Sequence, residues 1–138
     1  MRVLLLDDDA FMLELLADLV AAHGPHEVLR ETNGRRALIE LRLRPPGLVI
    51  CDLSMPALDG IDFLRLAAAQ QYQGCMVLLS GIDGAVLRTA ARLAEAQGLC
   101  ILDAFAKPID AAKVSALMDR AERRCAPPEA PGAPKAGQ

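Results

Sequence analysis

Tryptophan is absent, and aromatic residues make up only 3% of the 138 positions. Whatever core the chain builds must therefore come from Leu, Ile, Val and Ala. No apolar run approaches the roughly 20 residues needed to cross a bilayer as a helix. The apolar start of the chain is broken after six residues by Asp7-Asp8-Asp9, which argues against a secretory leader and for the cytoplasm. An excess of basic charge is also missing. The net charge is −3, which disfavours a nucleic-acid-binding face. The four cysteines, Cys51, Cys75, Cys100 and Cys125, are 24, 25 and 25 residues apart and match no zinc pattern. Three fall in apolar runs and read as small buried hydrophobes in a reducing compartment. No glycine-rich turn follows the first apolar run, so a dinucleotide-binding unit is disfavoured.

What the chain does have is 53% hydrophobic residues in short blocks, enough for one self-sufficient domain. Val3–Leu6, Leu48–Cys51 and Cys75–Leu79 are apolar without alternation, the mark of strands buried on both faces. Glu27–Thr32 is a more polar strand, expected near an edge, and a fifth strand starts at Leu99 and runs to about Phe105. Between them lie helical patterns. The first follows an Asp9 cap and places Met12, Leu15, Leu16, Leu19 and Val20 on one face. Others are expected near 35–43, 61–71, 85–97 (burying Val86, Ala90, Leu93 and Ala94) and 110–124 (presenting Val114, Leu117, Met118 and Ala121). Alternating βα units imply a parallel sheet covered on both faces. For five units the expected fold is the flavodoxin-like, doubly wound (βα)5 with strand order 2-1-3-4-5. The domain is expected over 1–124. Residues 125–138 contain Pro127, Pro128, Pro131 and Pro134 and read as a flexible tail or linker.

In such sheets the chemistry sits at the carboxyl ends of the strands, beside the switch in strand order. The first strand ends on Asp7-Asp8, the third on Asp52 and the fourth on Ser80, with Lys107 just past the fifth. Two carboxylates about 4 Å apart repel by roughly 4 kcal/mol at an effective dielectric near 20, and a third adds to the cost. A divalent cation relieves this. Oxygen-only donors suit Mg²⁺, which keeps several waters and takes phosphate partners. A carboxylate in that setting can be the nucleophile of phosphoryl transfer, with Lys107 pairing Asp52 at rest and a phosphoryl oxygen later.

These motifs, Leu4–Asp9, Asp52–Gly60, Leu79-Ser80-Gly81 and Lys107-Pro108, resemble the response-regulator receiver domain of two-component signalling over residues 1–124. The resemblance implies that Asp52 is the phosphoacceptor, that Asp8 binds Mg²⁺ directly and Asp7 mainly through water, and that the Ser54 backbone carbonyl is a further metal ligand. It also implies that Ser80 is the switch hydroxyl, that Lys107 binds the phosphate, and that the peptide before Pro108 is cis. The implied partners are a histidine kinase or phosphotransfer protein upstream and, through the surface of the fourth helix, fifth strand and fifth helix, an effector or a second copy of the domain. The segments Ser80–Leu87 and Gly98–Ile109 look like receivers that precede an EAL-type cyclic-di-GMP phosphodiesterase domain, and the Pro-rich tail would fit a linker to one.

One departure stands out. Many receivers carry Tyr or Phe three residues before the lysine as the rotameric partner of the switch hydroxyl. Here that position is Ala104, and Phe105, one place on, should face the other way. Readout by movement of the loop after Ser80, at 81–84, is then expected, and Ser54 and Ile82 flank the site. Two rivals remain. One is a receiver-shaped interaction module that takes no phosphate. The other is a haloacid-dehalogenase-type phosphatase, for which Asp7-x-Asp9 fits the first motif. The acids after the lysine, Asp110 and Asp119, lie in or beside a helix, where that chemistry does not want them.

Overall fold

The computed structural model describes residues 1–54, 60–81 and 84–125. Residues 55–59 of the Asp52–Gly60 motif, Ile82 and the tail from 126 onward lie outside the described residues. Ten elements alternate: β1 (Arg2–Leu6), α1 (Ala10–His23), β2 (Glu27–Glu31), α2 (Gly34–Leu43), β3 (Leu48–Asp52), α3 (Gly60–Ala69), β4 (Cys75–Ser80), α4 (Gly84–Ala96), β5 (Cys100–Ala106) and α5 (Ala111–Cys125). The strands form one parallel sheet in the order β2-β1-β3-β4-β5. The expected fold class and strand order both hold.

Position in the sheet accounts for the composition of each strand. β3 and β4 are buried at every residue and β1 at all but its first, whereas β2 and β5 are the half-exposed edges. Central strands have helices on both faces and can hold only apolar residues. Alternation along the strands then divides the core in two. Leu4, Leu6, Val49, Cys51, Met76 and Leu78 pack under α2, α3 and α4. Val3, Leu5, Leu48, Ile50, Val77 and Leu79 pack under α1 and α5.

Helix caps follow from the sequence. Asp9 accepts from the amides of Phe11 and Met12, and Asn33 accepts from those of Arg35 and Arg36, each satisfying first-turn donors. The helical stripes were less legible. α5 buries Val114, Leu117, Met118 and Ala121 as expected. α1 instead buries Leu13, Leu16, Ala17 and Val20, leaving Leu15 exposed. α4 buries Leu87, Ala90 and Ala94, while Val86 and Leu93 face outward. Both helices are apolar over more than one stripe, so periodicity admits neighbouring solutions and contact with the sheet selects among them.

The cysteines also need a correction. Cys51 is a free, fully buried thiol, pushed up by burial and then by the charges of Asp52 and Asp7, and so is chemically inert. Cys100 is free and half-buried. Cys75 is buried in the core as expected, but it is disulfide-bonded rather than the free thiol expected from the sequence. Among the described residues no helix is long and apolar enough to cross a membrane.

Candidate functional site

Register brings the strand ends to one level. Leu6 pairs with Cys51, Asp52 with Leu79, and Ser80 with Ala106. Asp7 follows Leu6, Asp52 follows Cys51, Ser80 follows Leu79 and Lys107 follows Ala106, all at the carboxyl edge of the sheet. Backbone bonds carry the ladder past the strand ends. The Asp7 amide donates to the Glu31 carbonyl (3.2 Å), the Leu53 amide to Leu79 (2.9 Å) and the Lys107 amide to Ser80 (2.8 Å). The lysine is thus anchored to the residue expected to be the switch. The Lys107–Pro108 peptide is cis, as the resemblance implies.

Among the described residues, the polar or charged residues buried as a whole are Asp7, Asp52 and Ser80. All three belong to this cluster. Asp8 lies at the exposed mouth. One carboxylate oxygen from each of Asp7, Asp8 and Asp52 lies within 4.8 Å of the others. Lys107 Nζ bridges the two buried acids, 2.9 Å from Asp7 Oδ2 and 3.3 Å from Asp52 Oδ2. The expected Lys107–Asp52 pair is therefore present, but the lysine sits closer to Asp7, a partner the sequence did not suggest. The other carboxylate oxygens are held by main chain. Asp9 N donates to Asp7 Oδ1 (2.9 Å), and Ser54 N donates to Asp52 Oδ1 (3.0 Å).

The electrostatics favour a cation. Burial raises the Asp52 carboxyl above its ordinary value. The Ser54 amide counters this, the charge of Asp7 adds to it, and Lys107 opposes it. Lys107 loses solvation too, yet its hydrogen bond to Asp7 and the charges of Asp52 and Asp7 hold its ammonium above the usual range. Three carboxylates face one ammonium. The all-oxygen donor set, with two members buried and one at the entrance, fits a hard divalent ion such as Mg²⁺.

A second feature was hidden in the sequence. Met76 pairs with Ile101 but Val77 pairs with Asp103, so β5 carries an extra residue. Leu102 packs on the α1/α5 side, and Asp103 reaches Arg120 of α5 at 2.8 Å. Arg120 Nη2 also donates to the Leu102 carbonyl (2.7 Å), fixing the bulge. Beyond it the alternation resumes shifted by one. Ala104 packs on the α4 side, while Phe105 packs on the α1/α5 side, with Lys113 Nζ 5.4 Å from its ring centre. The inference that Phe105 turns away from the position of Ala104 holds.

Comparison with known proteins agrees with this geometry. Residues 3–119 match the family model of the response regulator receiver domain. The chain belongs to that family. A response regulator from Colwellia psychrerythraea superposes with a TM-score of 0.77 at 32% identity, covering 88% of this chain and 97% of that one. A protein-glutamate methylesterase/protein-glutamine glutaminase of Treponema denticola is 39% identical over 82 residues, 59% of this chain and 22% of that protein. The cyclic di-GMP phosphodiesterase RocR of Pseudomonas aeruginosa is 27% identical over 125 residues, 90% of this chain and 32% of that protein. This receiver thus spans only a fifth to a third of the length of those two relatives. As a receiver it is a phosphoacceptor switch of two-component signalling.

Proposed function

We propose that Asp52 is the phosphoacceptor, with Asp7, Asp8, Asp52 and the Ser54 carbonyl as the protein ligands of Mg²⁺. The observation that carries this reading is a buried carboxylate at the end of β3, sharing one lysine with a second buried carboxylate. The donor is the phosphohistidine of a kinase or phosphotransfer protein. An Asp52 carboxylate oxygen bonds to phosphorus as the phosphorus–nitrogen bond breaks, and the electron pair leaves with the donor imidazole. Mg²⁺, when bound, supplies positive charge to the phosphoryl oxygens. Lys107 shifts from the carboxylates to a phosphoryl oxygen, and the Ser80 hydroxyl donates to another.

Phosphorylation enlarges the charge at Asp52 and adds acceptor oxygens, biasing a two-state equilibrium. With Ala104 on the α4 side and Phe105 on the far face, the aromatic rotamer switch has no side chain to use. The change is read out by the segment that follows Ser80 and by α4. The responding surface is formed by α4, β5 and α5, where Val86 and Leu93 are exposed, and it contacts an effector or a second copy of the domain. The Pro-rich tail serves as a linker to an EAL-type output module, a reading supported by the likeness to the cyclic di-GMP phosphodiesterase RocR. Incubation with acetyl phosphate and Mg²⁺ should give one hydroxylamine-labile phosphoryl group per chain, lost in Asp52→Asn. Continued labelling of that variant, or catalytic turnover of phosphate esters, would overturn the assignment.

A further inference from the structure

The end of the molecule opposite the acidic cleft carries a second group of ligating side chains that the phosphoacceptor reading does not use. His23 closes α1, His26 precedes β2, and Asp119 and Glu122 project from α5. The imidazole of His26 is almost fully enclosed, 2% exposed, and that of His23 is 11% exposed. The rings stack with centroids 5.2 Å apart. His23 Nδ1 lies 3.0 Å from His26 Nε2, and His26 Nε2 lies 3.6 Å from Glu122 Oε2. One ligand atom from each of His23, His26 and Glu122 falls within 4.8 Å of the others.

These spacings can be compared with what an ion requires. At a metal–nitrogen distance near 2.0 Å, neighbouring donors of a tetrahedral zinc site stand about 3.3 Å apart. The two measured edges straddle that value. The outer contacts fit as well. Nε2 of His23, the nitrogen facing away from His26, lies 2.8 Å from Asp119 Oδ1. A carboxylate receiving the second N–H of a ligating imidazole is the arrangement that fixes ring orientation at zinc centres. Nδ1 of His26 faces Met1, 3.3 Å from its nitrogen, so Nε2 is the nitrogen aimed into the cluster. Two imidazoles and one carboxylate favour a borderline transition ion over Mg²⁺ or Ca²⁺.

We infer that His23, His26 and Glu122 form a binding site for a divalent transition ion of the zinc class, with Asp119 orienting His23 and solvent completing the coordination. An ion there would tie the end of α1 to α5, a helix of the proposed output surface, from the side remote from Asp52. The inference stands on this geometry alone and survives or fails independently of the phosphoacceptor assignment.

Titration of the full chain with Zn²⁺, in millimolar Mg²⁺ to occupy the acidic cleft, tests it by calorimetry. Co²⁺ serves as a spectroscopic probe of tetrahedral geometry. The expected result is one ion per chain, with intense visible bands for Co²⁺. Affinity should fall at least tenfold in His26→Gln and in Glu122→Gln, and about 10- to 100-fold in Asp119→Asn. Glu122 is exposed, so its variant leaves folding aside. Asp8→Asn should bind Zn²⁺ as the unaltered chain does. No stoichiometric binding, or binding that persists in Glu122→Gln and His26→Gln, or binding lost in Asp8→Asn, would overturn the site.

Discussion

Lys107 shares its one positive charge between two buried carboxylates, and neither has enough solvent to stand alone. Its removal leaves Asp7 and Asp52 facing one another in a poorly screened interior, a loss of the kind that costs about 3 kcal/mol. Lys107→Ala should therefore lower stability by roughly that amount in urea unfolding at neutral pH, with much of the loss recovered on adding Mg²⁺. It should slow labelling by acetyl phosphate about 100-fold, as expected when one charge-stabilising donor is lost. Asp52 sets a pH dependence of definite sign. Burial first and Asp7 after it raise its folded carboxyl above the ordinary 3.8, so over the interval between the two values the folded chain holds more protons than the unfolded one. The group's contribution to stability is complete below 3.8 and is lost as pH rises through the raised folded value. Asp52→Asn cannot ionise. Its stability relative to the unaltered chain should climb across that window, measured by urea unfolding at a series of pH values. A difference that does not vary with pH would contradict the assigned environment.

At the scale of elements, the ends of β3 and β5 are shaped by contacts that lie some way from the chemistry. α3 begins on Gly60, whose backbone crosses that of Leu53, next to Asp52. A Cβ at position 60 would meet the Leu53 Cα and lie 2.8 Å from its carbonyl oxygen. Gly60→Ala should therefore cost about 1–3 kcal/mol by overpacking and should weaken Mg²⁺ binding, because Leu53 and Ser54 move together. Tyr72 has the opposite character. Its buried hydroxyl donates to the Pro46 carbonyl at 2.8 Å, at the far end of the sheet. Tyr72→Phe should cost about 1 kcal/mol in thermal or urea unfolding, with labelling of Asp52 unchanged. The bulge in β5 belongs to the same scale. One extra residue, pinned by Arg120, determines that the sheet offers Ala104 rather than Phe105 to α4.

For the whole molecule, the proposed phosphoacceptor cleft and the proposed output surface are separated. The acidic cleft lies at the carboxyl edge of the sheet, whereas the surface of α4, β5 and α5 faces sideways. α4 touches the sheet through Leu87, Ala90 and Ala94 and exposes Val86 and Leu93 to solvent. A Leu93→Glu substitution should leave stability within about 0.5 kcal/mol and labelling intact. Phosphorylation-dependent association, whether with an effector or with a second copy, should nonetheless be lost, as read by sedimentation or pull-down with the beryllofluoride-loaded chain.

The sequence by itself determined the class of fold and which acids meet at one edge of the sheet. Unbroken apolar runs such as Leu48–Cys51 can only be central strands, and acids that directly follow such runs must gather at one edge once the sheet is parallel. It could not determine which stripe of α1 or α4 is buried, because helices apolar on several sides satisfy the same periodicity. Nor could it reveal contacts made between distant segments. The sharing of Lys107 with Asp7, the shift of register in β5 and the meeting of His23 and His26 with Glu122 each join residues that no local pattern couples. Local hydrophobic periodicity and turn chemistry act over a few residues and are legible along the chain. Side-chain partners set by packing across the sheet are decided only when the whole core closes.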